Sequence, residues 1–448
     1  IVLVILIYYL ISLDKIILFI TFLTPFAVEL RDMEGGLGLS LPTEPLMFGV
    51  LILFVANLIF EQRYDRRIST HPISYIIFLF LFWMFFTSTT SELPLVSFKF
   101  LLSRIWFFIP LLVFGPTFFI KRKNVIAFIW LFCLAMVIAI IYTLIVHSTY
   151  GFGEKEGHWV MWPFFKDHTI YGSTVAFITP LIFGLYFSKK HTPLIQLVLI
   201  GLIMITLLGL FFSYTRAAWL SVIASILVLI TIKLRIKFIY LAFVGGIAGI
   251  VLLFSWDNIQ MEMERNKFEH TTEEFGEKLQ SATNVTTDAS NLERLNRWSC
   301  AIEMFKERPF LGFGPGTYAF EYARFQEPEN LTIISTNFGD MGNAHSEYLG
   351  PLSEMGVFGL LAMLAIVASI FYKSISLYIK WPKEDTEMRV LFLAMIMSLV
   401  TYFVHGTLNN YLDTDKAAVP IWGICAIFIA QEIYLKSSAL PKERDSNN

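Results

Sequence analysis

The feature that most limits what this chain can fold into is its repetition of apolar runs. Residues 1–11, 16–30, 45–60, 73–90, 97–120, 124–147, 170–187, 193–213, 217–232, 238–254, 352–375, 389–412 and 417–435 are each dominated by Leu, Ile, Val and Phe. A helix needs roughly 17 to 25 residues to cross the hydrocarbon core, which leaves the first two runs marginal as separate spans. In hydrocarbon every backbone N–H and C=O must be paired within the segment, and the helix does this locally. The chain is therefore expected to be an all-α polytopic membrane protein with about twelve transmembrane helices. Its composition agrees: 56% hydrophobic and only 16% charged residues over 448 positions are far from the balance of a soluble enzyme. The sequence opens IVLVILIYYL without a Met, so the true N-terminus is expected upstream, and residues 1–11 are not read as a signal peptide.

The net charge of -2 carries little information, whereas the placement of Lys and Arg carries much. Short basic loops at Arg63/Arg66/Arg67, Lys121/Arg122/Lys123, Lys189/Lys190, Lys233/Arg235/Lys237 and Lys373/Lys380/Lys383/Arg389, with the tail Lys436/Lys442/Arg444, fall at alternate ends of the runs. The positive-inside rule makes that side cytoplasmic. The opposite, outer side then receives 31–44, 88–96, 148–169, 213–216 and 409–416, plus one long hydrophilic insertion from about Ser255 to Gly350. Three parts follow: N-terminal helices at 1–254, a large helical periplasmic loop region at 255–350, and C-terminal helices with a cytoplasmic tail at 351–448. No basic patch suggests a nucleic-acid partner. Of three cysteines, Cys133 and Cys425 lie in apolar runs and only Cys300 lies in a polar segment, so no disulfide framework or metal cluster can be assembled.

Within the insertion, SNLERLNRWSCAIEMFKERPFLGFGPGTY reads as a helix followed by a glycine-rich turn. Ser290 with Glu293 fits a capping box, Leu292, Leu295, Trp298, Ile302 and Phe305 recur at helical spacing, and Pro309 ends the pattern. Gly312, Gly314 and Gly316 allow close approach of backbone to another surface. Residues 262–291, rich in Glu, Thr, Asn and Ser, are expected to form a mobile lobe.

Three clusters on the outer side carry side chains suited to chemistry. Arg216, in SYTRAAWL, sits in a very short turn between apolar runs; it either serves a polar site or snorkels to lipid headgroups. Arg294 and Arg297 are neighbours on one helix face, and their planar forks suit a diphosphate. Glu293 lies four residues before Arg297, the spacing of an ordinary helix salt bridge, so Arg294 is the better ligand candidate. His345 follows Asn343 and precedes Glu347 at the start of a long apolar run. A lone histidine at a membrane surface is most often structural, but one of near-neutral pKa can also take a proton from an attacking hydroxyl, with Glu347 orienting it or pairing with an arginine. Weaker candidates are Lys166, Asp167 and His168 at the end of an outer loop, Arg104 inside an apolar run, Asp413 and Asp415 in the last outer loop, and Glu354 near the interface. No phosphate-cradling glycine loop, zinc motif or Ser/His/Asp elbow is present.

TRAAWL at 215–220, the run Arg294, Trp298, Ala301, Pro309, Gly312, Gly314, and NAHSEYLGPLSEMGVFGLL at 343–361 together resemble the O-antigen ligase and polymerase superfamily of bacterial inner-membrane proteins. The resemblance spans roughly the C-terminal half, and its most specific part is the His motif followed by Glu and Gly. It implies a metal- and cofactor-independent glycosyltransferase that moves a glycan from an undecaprenyl diphosphate carrier to an acceptor hydroxyl on the periplasmic face. It further implies His345 as general base and Arg216 and Arg294 as diphosphate contacts; the residues themselves add Arg297 as a helper and Asn343, Glu347, Asp167 and His168 as candidates for support, His168 standing where relatives commonly show Asn. Lipid A-core, a second glycan or a protein Ser or Thr would each serve as acceptor, giving a ligase, a polymerase or a protein O-oligosaccharyltransferase. A lipid-linked glycan transporter is the competing class, since it too needs outward-facing cations, although it leaves His345 without a task.

The charge distribution sets the first test. A cysteine placed at Thr287 should react with a membrane-impermeant reagent in intact spheroplasts, and one at Glu384 should be protected. The reverse pattern would invert the topology.

Overall fold

The computed structural model describes residues 13–30, 39–60, 65–236, 289–326 and 342–439. The chain enters through α1 (Leu13–Leu23), a two-stranded antiparallel hairpin of β1 (Val28–Leu30) and β2 (Leu39–Leu41), α2 (Thr43–Phe60) and the short α3 (Arg66–Ser69). Then follow α4 (Pro72–Thr89), α5 (Pro94–Phe119), α6 (Arg122–Ser148), α7 (His168–Ser188), α8 (Pro193–Phe211) and α9 (Arg216–Leu234). The polar insertion contributes α10 (Ala289–Glu307) and α11 (Tyr318–Glu321), and the chain closes with α12 (Leu349–Lys380), α13 (Thr386–His405) and α14 (Asp415–Ala439).

Among the described residues nine helices, α4 to α9 and α12 to α14, are long and apolar enough to cross a membrane. Lys15–Phe26 and Thr43–Ala56 form shorter apolar helices. The candidate spans at 1–11 and 238–254 lie outside the described residues, as does the polar lobe from 262 to 288. The expected insertion helix is present, with one change: Ser290, read as its cap, already lies within the helix.

Burial sorts the spans. Most of α7, α13 and α14 is enclosed by protein, with Gly184 and Ala394 letting α7 and α13 approach closely. By contrast α8 and α9 leave Leu194, Leu197, Ile223 and Leu227 exposed, the arrangement expected where the outer solvent is lipid. Helix α5 is interrupted by a π-helical segment at Ile109–Phe114. Pro110 lacks the N–H that would continue the regular ladder, and the Gly115 N–H instead reaches the Pro110 carbonyl.

At one end of the bundle the basic loops find acidic partners. Arg122 pairs with Asp385 and Glu387, and Lys189 lies 3.0 Å from Glu387. Glu432 receives His71 at 3.0 Å, Lys373 at 2.7 Å and Lys436 at 2.9 Å, tying the starts of α4 and α14's last turns to α12. The Nδ1 of His71 accepts the Ile73 N–H, so its remaining N–H is directed at Glu432.

The other end holds the polar insertion, and a kink in α12 docks it. Gly356 adopts φ 68°, ψ −166°, which breaks the helical ladder and frees carbonyls of the preceding turn. The glycine-rich turn after α10 fills the gap: the Phe313 N–H donates to Ser353 O at 3.2 Å, Gly314 N–H to Glu354 O at 2.8 Å, and Val357 N–H to Pro309 O at 2.8 Å. Groups stranded at membrane depth are thus satisfied within the protein. Beneath the turn, Cys300, Ala301 and Met304 of α10 pack with Phe313, Tyr318 and Tyr322 as a separate small core.

A side chain at 356 would meet the Phe310 backbone and would be held in a left-handed conformation. Gly356→Val should therefore lower stability by at least roughly 1–3 kcal/mol, the typical cost of the backbone strain alone. Gly201→Ala, which adds a Cβ into open space, is the control and should leave thermal unfolding in detergent unchanged or slightly raised. Equal unfolding temperatures for the two variants would show that the kink does not hold the insertion.

Candidate functional site

His345 sits on an irregular segment between the insertion and α12. Its φ of 46° is left-handed, uncommon for a residue with a side chain. The turn is held from both sides: the Asn343 Oδ1 accepts the His345 N–H at 3.0 Å, and the Trp298 indole N–H donates to the His345 carbonyl at 3.4 Å. Asn343 thus supports the backbone of His345, and α10 holds it in register. The half-buried ring feels the positive charges of Arg294 and Arg297 and the opposing charge of Glu293. Burial, then Arg294, then Arg297 push its pKa down to about 4. At neutral pH the imidazole is therefore uncharged and able to accept a proton.

The two arginines of α10 have different surroundings. Arg297 is buried, its Nε donating to Glu293 at 2.7 Å and its guanidinium lying 4.0 Å from the centre of the Tyr322 ring. The salt bridge anticipated from the spacing is formed. Arg294 is half-buried and lies within electrostatic reach of His345, His405 and Tyr411.

Arg216 occupies the first turn of α9, half-buried, after Tyr214 at φ 49°. Thr215 beside it donates to the His168 carbonyl at 2.8 Å, which brings α9's start against α7's start. Asp167 caps α7, accepting the N–H groups of Thr169 at 2.8 Å and Ile170 at 3.1 Å, while the His168 ring stacks on His158 with centroids 4.1 Å apart. Thr169 in turn hydrogen-bonds the Tyr411 hydroxyl, and the Tyr411 N–H reaches Glu347 at 2.7 Å. A continuous hydrogen-bonded path therefore runs from the Arg216 turn through α7 to the His345 segment.

Glu347 is buried and serves this network rather than an arginine fork. Its Oε1 accepts from the Tyr402 hydroxyl and from the N–H groups of Tyr411 and Leu412. Burial raises its carboxyl above the usual range, opposed by Arg104 and by these hydrogen bonds. Glu354, expected only to mark the interface, is also buried and accepts the Tyr318 N–H at 3.1 Å, fixing the turn before α11.

A cavity of about 260 Å³ adjoins the His345 segment, with Arg104, Asn343, Glu347, Glu354, Asn410 and Asp413 among its polar lining. Phe80, Met84 and Met363 belong to its apolar wall. Of these, Arg104 and Asp413 were legible only as isolated charges. Tyr402, inside the apolar run at 389–412, and Tyr411 escaped the sequence reading, the latter because GTLNNYLD looks like any short loop between spans. The paired asparagines in so short a connection were the available signal. Among the described residues no group of three or more His, Cys, Asp or Glu side chains is placed to hold a metal ion.

The arrangement defines an integral membrane protein whose neutral histidine and flanking guanidinium groups meet at one end of a helical bundle. Residues 200–364 match the family described as O-Antigen ligase. The match contains Arg216, α10 and the His345 segment, whereas Arg104 and the 406–412 loop lie outside it. No curated relative matches the chain.

Burial separates the arginines experimentally. Arg297→Ala breaks a buried ion pair with Glu293, a change that typically costs about 3–5 kcal/mol, whereas Arg308→Ala loses an exposed pair with Glu92, typically worth about 0–1 kcal/mol. Thermal unfolding of the two variants in detergent should show the large loss for Arg297 alone. Similar losses would contradict the structural role given to the Arg297 pair.

Proposed function

We propose that the protein is a glycosyltransferase of the periplasmic face of the bacterial inner membrane, moving a glycan from an undecaprenyl diphosphate carrier to an acceptor hydroxyl. The observation that carries this reading is a neutral, left-handed histidine within electrostatic reach of Arg294, inside the stretch that matches the O-antigen ligase family. Residues 1–254 and 351–448 supply the membrane body, and 255–350 the outer region bearing the site.

The donor sugar carries diphosphate on C1, so the demanding step is stabilising the departing negative charge. Arg216 and Arg294 provide fork-shaped donors for it, with Arg297 fixed behind them by Glu293. His345 takes the proton of the acceptor O–H as its oxygen bonds to C1. The C1–O bond to diphosphate breaks on the opposite face, and the diphosphate leaves with the electron pair on its carrier. Direct displacement inverts the anomeric centre and needs neither a covalent intermediate nor a metal. The placement of the base at the head of α12 suits a donor whose lipid tail stays in the bilayer. Lipid A-core, a growing glycan or a protein hydroxyl would each fit as acceptor in this scheme.

In reconstitution with a defined lipid-linked donor and acceptor, His345→Gln should lose on the order of 10²- to 10⁴-fold in turnover. Arg216→Lys and Arg294→Lys, which keep charge but lose the fork, should lose up to about 10²- to 10³-fold. With the His345 pKa at about 4, protonation removes the base only in acid, so activity should be flat near neutrality and fall as pH drops towards 4. Release of undecaprenyl diphosphate separates transfer from transport, which would return the carrier-linked glycan unchanged. Native turnover by His345→Gln would remove the histidine from the reaction.

A further inference from the structure

The cavity of about 260 Å³ beside the His345 segment has no part in the chemistry assigned so far to the histidine and to the arginines of α9 and α10. Its polar lining holds one unmatched donor, the Arg104 Nε, and two unmatched acceptors, the Asn410 Oδ1 and the Asp413 Oδ1, all buried and without a hydrogen-bond partner among the described residues. Arg104 lies about three turns into α5, its guanidinium 4.7 Å from the centre of the Phe100 ring. An ionisable side chain at such a place in a span points to a functional site. Asn410 and Asp413 come from the loop after α13. The apolar part of the lining includes Phe108 and Trp422, with ring centroids 4.6 Å apart, and Met84 and Met363. The chain on both sides of His345 also borders the cavity, through Glu347 and through Asn343, whose Oδ1 accepts the His345 N–H at 3.0 Å.

We propose that this cavity is a subsite for a neutral sugar ring of the acceptor, which makes the acceptor a carbohydrate rather than a protein side chain. The proposal rests on the transferase reading given above. A hydroxyl both donates and accepts, so neighbouring hydroxyls of one ring can satisfy the Arg104 Nε–H and the two acceptor oxygens together, while the apolar C–H face of the ring lies against Phe108, Trp422 and the methionines. Other occupants fit the lining less well. Arg104 is the single cation of the lining and shares it with the carboxyl groups of Glu347, Glu354 and Asp413, so no surplus positive charge is offered to the donor's diphosphate. An extended peptide would bring a row of N–H and C=O groups, each needing a partner. A hydrocarbon tail would leave the three unmatched atoms desolvated and unpaired. The lining includes the chain neighbours of His345 but not His345 itself, so the docked ring is an anchoring unit next to the one that presents the reacting hydroxyl. A volume just under the roughly 300–1,000 Å³ usual for small-molecule sites suits such a unit rather than an entire glycan.

The test measures transfer by the full chain, reconstituted with a lipid-linked donor and given lipid A-core, a carrier-linked glycan or a Ser/Thr peptide as acceptor, each variant first checked by thermal unfolding. Transfer is expected to a carbohydrate and not to the peptide, and which of the two carbohydrates is used identifies the source of the sugar. Asp413→Ala should raise the KM for that acceptor by about 10- to 100-fold and Asn410→Ala by about 2- to 10-fold, as for lost hydrogen bonds to a charged and to a neutral group, with the KM for the donor unchanged. Ala319→Phe adds bulk to the lining from α11 and keeps every polar group, so it should raise the acceptor KM as well and carries the decision where a loop variant fails to fold. A native acceptor KM in the folded variants, a rise in the donor KM instead, or transfer to the peptide overturns the proposal. With His345→Gln inactive, such a result leaves the base assignment standing. Native turnover by His345→Gln removes the base assignment, and the acceptor KM of the cavity variants still decides the subsite.

Discussion

Irregular backbone at the edge of a bilayer has few places to find hydrogen-bond partners, and this protein places the side chain of Glu347 and the kinked first turns of α12 where that need is greatest. One oxygen of Glu347 gathers a hydroxyl and two backbone N–H groups from the end of α13 and the loop after it. A few residues later, the carbonyls freed by the Gly356 kink accept N–H groups from the glycine-rich turn of the insertion. His345 lies on the chain immediately before these two junctions. Its position is thus set by the satisfaction of backbone groups in three separate parts of the sequence, and a low-dielectric surrounding makes each of those bonds costly to break.

The electrostatics follow from the same packing. Bringing α10 against the His345 segment places Arg294 and Arg297 near the ring, and their charges together with burial keep the imidazole neutral. The same guanidinium groups suit a diphosphate leaving group in the proposed reaction. In that proposed reaction Arg294 would serve both halves of the chemistry, suppressing protonation of the base and receiving negative charge. The Glu293 partner divides the labour: it holds Arg297 in a buried pair, while Arg294 is the arginine whose field extends to His405 and Tyr411.

Far from the site, the opposite end of the bundle is organised by ion pairs that range from buried, at His71 and Glu432, to exposed, at Arg122 and Lys189. Glu432 with His71, Lys373 and Lys436, and Glu387 with Arg122 and Lys189, join loops that are distant in sequence. These contacts order the basic end while the polar insertion docks at the other. The two ends thus differ in kind: charge pairing at one, backbone satisfaction around the half-buried His345 at the other.

Much of this was legible in the sequence. Helical spans can be read from apolar runs because a helix in hydrocarbon closes its hydrogen bonds locally, and Arg297 with Glu293 can be read from a four-residue spacing for the same local reason. The helix of the insertion, the close-approach glycines after it and the grouping of His345 with Arg294 were likewise open to a reader of the chain. The partners of Glu347 and the kink at Gly356 were not. Each joins segments tens of residues apart, as Glu347 does with Tyr411 and Leu412, and no periodicity or composition encodes which distant N–H groups will be left unsatisfied when the helices pack. That choice was made by tertiary structure alone, because it depends on which turns the close packing of α7, α12 and α13 leaves facing one another.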